Sequence, residues 1–212
     1  MKTFKVLSVL LSYPESELSD QLGSLSEVLD SEALLPIEHR QALQCLLDIL
    51  RVLDPLDAQE RYVALFDRNR SLSLHLYEHI HGESRDRGQA MVQLAEIYRL
   101  HGVEISAAEL PDYLPLFLEF LSLLPIKAAA SLLAEAVHVV AALREKLEAR
   151  GSAYAVVMGA IEALAAKPAE RAAVDEVLAM LKPEADSLDA LDGQWEEEAV
   201  RFTAAGAASC AG

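Results

Sequence analysis

The chain has 212 residues, 52% hydrophobic and 25% charged, a mixture that supports a sizeable core and excludes extended disorder. Its formal charge is −16, which disfavours nucleic acid and anionic membrane surfaces and favours basic peptides as partners. Two cysteines, Cys45 and Cys210, have no Cys or His at zinc-ligand spacing nearby, so free thiols in a reducing compartment are expected.

In chain order the pattern is helical. The apolar stretch from Leu7 to Leu11 stops at Tyr13-Pro14 without a small-residue cleavage site and reads as a first helix, not a secretion signal. Leu43, Leu46, Leu47, Leu50 and Leu53 recur at helical spacing, and Asp54-Pro55 then supplies a capping carboxylate before a proline at the next helix's first position. Met91, Leu94, Ala95 and Tyr98 mark another helix, stopped at Gly102, and Ser106 to Glu109 has capping-box spacing. From Asp112 to Leu124 one helix is apolar nearly all round, with Leu114, Phe117, Leu118, Leu121 and Leu124 on one stripe and Leu116, Phe120 and Leu123 on another. Ala129 to Leu147 form a long helix closed at Gly151.

No alternating strand-like runs are found, and no stretch of about 18 residues lacks charge, so neither strands nor a membrane span are expected. The fold class is all-α, a single-domain helical bundle of roughly eight to ten helices over residues 1–183. Residues 184–212 are rich in acids, Ala, Gly and Ser, and a disordered acidic tail is expected there. A soluble cytoplasmic protein follows from this reading.

The −16 excess lies outside residues 60–90, where five arginines (Arg61, Arg68, Arg70, Arg85 and Arg87) balance five acids. Arginine suits rigid multi-donor contacts, either to local acids or to a bound anion. His75 and His79 stand at i, i+4 with His81 close behind, but a third ligand would fall on another face, so no metal is assigned. Nucleophile-elbow, zinc-protease, P-loop and dinucleotide-binding strings are missing, so no catalytic residues are assigned and the chain is not read as an enzyme.

Several segments resemble the NarJ family, a branch of the TorD-like redox-enzyme maturation chaperones. They are Tyr62-Val-Ala-Leu-Phe66-Asp67, Leu74-His-Leu-Tyr77-Glu-His, Gly82-Glu-Ser-Arg85-Asp-Arg87-Gly88, Leu94 to Gly102, and Glu109-Leu-Pro-Asp112-Tyr113-Leu-Pro. Leu7 to Pro14 and Trp195 to Phe202 resemble that family's two ends. The resemblance implies an all-helical chaperone, without a cofactor of its own. Its implied client is the N-terminal segment of the respiratory nitrate reductase catalytic (alpha) subunit. The chaperone would hold that apo subunit ready for molybdenum cofactor insertion and delay its membrane docking. Where the wider family carries Pro-Asp-His, this chain has Pro111, Asp112 and Tyr113, and Ala199 replaces a proline in the tail.

Residues and resemblance together make Tyr62, Phe66, Tyr77, Tyr98, Asp112, Tyr113, Leu116 and Glu119 the candidate client-binding set. Aromatic anchors contribute roughly 1.5–3 kcal/mol each when fully buried, and Asp112 and Glu119 would meet a client cation. Arg85 and Arg87 would brace Glu119 or touch client acids. A monomer or weak homodimer is expected, with no nucleic acid and no stable membrane association. The alternative reading is a sibling chaperone for another molybdoenzyme, such as a sulfoxide, amine-oxide or selenate reductase. A helical nucleotide hydrolase and a purely structural subunit rank below it.

Overall fold

The computed structural model describes all residues except 82–84, 106–108 and 182–212, together with the side chain of His81. The capping-box expectation at Ser106, the acidic tail and Cys210 lie outside the described residues. Those residues fall within one compact unit, Met1–Lys182. Ten α-helices are seen among them: α1 (Lys2–Leu11), α2 (Leu18–Glu32), α3 (Ile37–Val52), α4 (Pro55–Tyr62), α5 (Leu76–His81), α6 (Arg85–Leu100), α7 (Leu114–Leu123), α8 (Ile126–Ala149), α9 (Ala155–Leu164) and α10 (Arg171–Met180).

The boundaries follow local chemistry. Asp54 caps α4 by accepting from Leu56 N–H at 2.9 Å, with Pro55 at the first helical position. Past the ends of α6 and α8, Gly102 (φ 75°) and Gly151 (φ 64°) occupy the left-handed region that a side chain resists. A π turn over Val63–Asp67 follows α4, and a 3₁₀ turn over Arg70–Leu72 leads towards α5.

Helix α1 is buried along most of its length, with Phe4, Leu7 and Leu11 fully sealed. It lies antiparallel to α7, as three pairs in reversed order show. The Met1 amino group donates to Ser122 O, Lys5 Nζ stands 3.3 Å from Glu119 Oε1, and Ser8 Oγ donates to Pro115 O at 2.7 Å. Leu114, Leu118 and Leu121 turn inward from α7, while Leu43 and Leu47 of α3, Leu133, Val140 and Leu147 of α8, and Val157 and Ile161 of α9 complete the core.

Helix α8 has 24 residues and is long and apolar enough to cross a membrane, which the search for uncharged stretches did not anticipate. Half of its most apolar window is buried inside the fold, as in the core helix of a bundle.

Candidate functional site

Two short segments meet ahead of α5 and α7. Leu114 N–H donates to Leu74 O (2.8 Å) and Leu76 N–H to Asp112 O (3.0 Å), making an isolated antiparallel bridge between His75 and Tyr113. The bridge sets the Asp112 carboxylate over the first turn of α5, where Tyr77 N–H donates to Oδ2 at 3.2 Å. His75 Nδ1 lies 3.3 Å from Oδ1, and Arg87 Nη2, from α6, lies 3.7 Å from Oδ2.

Asp112 is 0% exposed. Burial pushes its carboxyl up, but the His75 hydrogen bond and charge, the Tyr77 N–H and Arg87 outweigh that and hold it below the usual carboxylate range. It is therefore a fixed internal anion joining α5, α6 and the start of α7.

Tyr113 lies tilted against the His75 ring, with centroids 5.3 Å apart. These two half-buried rings, with exposed Glu109 and Leu110, line a cleft of 410 Å³. The Tyr113 hydroxyl is 3.2 Å from that of Tyr62, whose own proton goes to Leu11 O at 2.8 Å, so Tyr113 is the donor between them. Tyr62 packs on Phe66 at 5.0 Å, and Tyr154 closes that cluster edge-on. Tyr98 packs on Phe120 at 4.4 Å and donates to Pro111 O at 2.8 Å, which fixes the approach to Asp112. Burial raises the phenols of Tyr62, Tyr77, Tyr98 and Tyr113, and pushes that of Tyr154 up to about 12. All stay neutral near pH 7 and act through area and hydrogen bonds.

The expected set thus divides. Tyr77, Tyr113 and Leu116 are half-buried, and Glu119 is exposed. Leu116, Glu119 and Leu123 fall at i, i+3 and i+7 along one face of α7, and Leu123 is 66% exposed. By contrast Tyr62, Phe66, Tyr98 and Asp112 are buried, with 0–6% of their surface exposed. Asp112 is turned inward because its oxygens already serve three internal donors.

The bracing of Glu119 by Arg85 or Arg87 is corrected. Packing of α1 on α7 brings Lys5 to Glu119, while Arg87 turns to Asp112 and Arg85 is exposed at the start of α6. The two histidines weighed as metal ligands are engaged otherwise, His75 with Asp112 and His79, through Nε2–H, with Ser73 O at 2.6 Å. No group of three His, Cys, Asp or Glu able to hold a metal is found among the described residues.

Sequence reasoning passed over His75 as part of the site's wall, Lys5 as the partner of Glu119, and Tyr154 as a member of the aromatic cluster. Each belongs to a contact between segments far apart in the chain, which no local spacing announces. The surface that results offers apolar and aromatic area with carboxylates at Glu109 and Glu119. That suits the capture of an apolar, basic peptide.

The sequence profile described as nitrate reductase delta subunit matches residues 32–158. The chain is 43% identical over 94% of its length, and 84% of the relative's, to a protein of Escherichia coli (strain K12) named nitrate reductase molybdenum cofactor assembly chaperone NarJ. It is 36% identical over 99% of its length, and 87% of the relative's, to the same strain's probable nitrate reductase molybdenum cofactor assembly chaperone NarW. A probable NarJ of Bacillus subtilis (strain 168) is 33% identical over 81% of this chain and 95% of its own. The chain belongs to the nitrate reductase delta subunit family, and the three relatives just described are named as assembly chaperones.

Proposed function

We propose that this chain is a dedicated cytoplasmic chaperone of nitrate reductase assembly. It binds the N-terminal segment of the apo catalytic (alpha) subunit, keeps that subunit competent for molybdenum cofactor insertion, and releases it for membrane docking. The observation that carries the reading is 43% identity to a named NarJ chaperone across nearly the whole chain.

The geometry supplies a physical route. A leader with an apolar face and basic residues lies along Leu116, Glu119 and Leu123 and ends in the cleft of His75, Glu109, Leu110 and Tyr113. Three anchors at roughly 1.5–3 kcal/mol each supply about 5–9 kcal/mol before association costs, so the grip is micromolar or weaker. Such an affinity allows release, which a chaperone's cycle needs. The molybdenum cofactor is the client's cargo, and no step of its insertion is assigned to this chain.

Co-purification tests the reading. In cells making the nitrate reductase subunits but lacking their own assembly chaperone, this chain captures the alpha subunit and raises its molybdenum content. An alpha subunit that is neither captured nor enriched in molybdenum contradicts the reading, as does preferential capture of a sulfoxide, amine-oxide or selenate reductase.

A further inference from the structure

Helix α1 is fastened at several points. The Met1 amino group donates to Ser122 O and Ser8 Oγ to Pro115 O, while the Thr3 hydroxyl donates to Glu32 Oε2 of α2 at 2.6 Å. Phe4 and Leu7, which flank Lys5 in the sequence, are sealed in the core. The backbone that carries Lys5 is therefore fixed, while its side chain is 62% exposed. Its ammonium is the one ion-pair partner of the Glu119 carboxylate among the described residues.

Glu119, itself 51% exposed, stands on α7 between half-buried Leu116 and exposed Leu123. A leader lying along that line meets a carboxylate that already holds a cation. A leader with a lysine or arginine at this register exchanges its own cation for that of Lys5, so its charge gain is the difference between two similar ion pairs. A leader without one leaves the Lys5–Glu119 pair in place. Because the chain holds Lys5 beside the carboxylate, it competes at a high effective concentration however dilute the protein. Both partners reach water, where such pairs are weak, so the exchange is readily reversed.

We propose that Lys5 is a built-in competitor for the client's cation at Glu119, and so sets how strongly the α7 surface prefers a basic leader. The inference rests on the placement of the leader along α7 given above. On departure of the leader, Lys5 returns to Glu119 and no carboxylate is left bare between Leu116 and Leu123, which favours release.

The probes are a synthetic alpha-subunit leader and the same peptide with its lysines and arginines replaced by glutamine, each titrated calorimetrically into the full chain. Lys5→Gln binds the basic leader about two- to fivefold more tightly than the parent does, and binds the glutamine leader no more tightly. Lys146→Gln removes the same charge about 30 Å along α8 from its start beside α7, and leaves the preference for the basic leader as in the parent. In a Glu119→Gln background, Lys5→Gln no longer changes that preference. Far-ultraviolet dichroism and the melting temperature show that the variants remain folded. The proposal is overturned if the parent binds the basic leader and Lys5→Gln binds it no more tightly. It is also overturned if Lys146→Gln gives an equal gain, or if the gain persists without the Glu119 carboxylate. A parent that binds neither peptide overturns the placement of the leader, and this inference with it.

Discussion

Asp112 is tied to three elements: His75 ahead of α5, the Tyr77 N–H in its first turn, and Arg87 of α6. Removing the carboxylate leaves a largely buried guanidinium without its charge partner and frees a first-turn donor. Asp112→Ala should therefore cost about 3 kcal/mol, read as a lower denaturation midpoint with an unchanged denaturant slope. The direction of its pKa shift sets the acid limb. The folded state binds this proton less readily than the unfolded chain, so the contribution is full above roughly pH 4 and is lost as pH falls through the lower folded value.

His79 acts in a higher window. Burial lowers its pKa, so the imidazole is neutral in the fold while the unfolded chain protonates near pH 6.5. Its contribution is complete above about pH 6.5 and declines as pH drops towards the folded value. Urea midpoints at pH 7.5 and 5.5 should differ clearly in the parent and much less in His79→Gln. Equal differences in both proteins would mean that another group titrates there.

Among the elements, those with a local code were legible. The leucines of α3 predicted its buried face, and Leu43, Leu46, Leu47 and Leu50 are all buried. Gly102 and Gly151 marked helix ends and take the positive φ that such ends require. Asp54 was recognised as a cap, and Asp54→Ala should destabilise the fold by about 1 kcal/mol, measured by thermal or urea unfolding. What stayed hidden depends on which elements meet. Lys5 reaches Glu119 only because α1 runs antiparallel to α7, and His75 faces Tyr113 only through a bridge between distant segments. The burial of the individual members of the candidate set was hidden for the same reason. An aromatic or acidic residue in a sequence does not reveal whether it faces solvent, and the burial of Tyr62, Phe66, Tyr98 and Asp112 is set by three helices and a bridge together.

For the whole molecule, the charge of −16 gives a basic leader a long-range attraction before any contact forms. Raising salt from low to physiological strength should weaken that encounter, while contacts to the apolar line of α7 persist. Isothermal titration of a synthetic alpha-subunit leader into the full chain isolates this line. The parent should bind with micromolar or weaker affinity, and Leu116→Asp combined with Leu123→Asp should lose at least about tenfold, or ~1.4 kcal/mol, in a protein whose circular dichroism is unchanged. A folded double variant that binds the leader as tightly as the parent would contradict the placement of the client along α7.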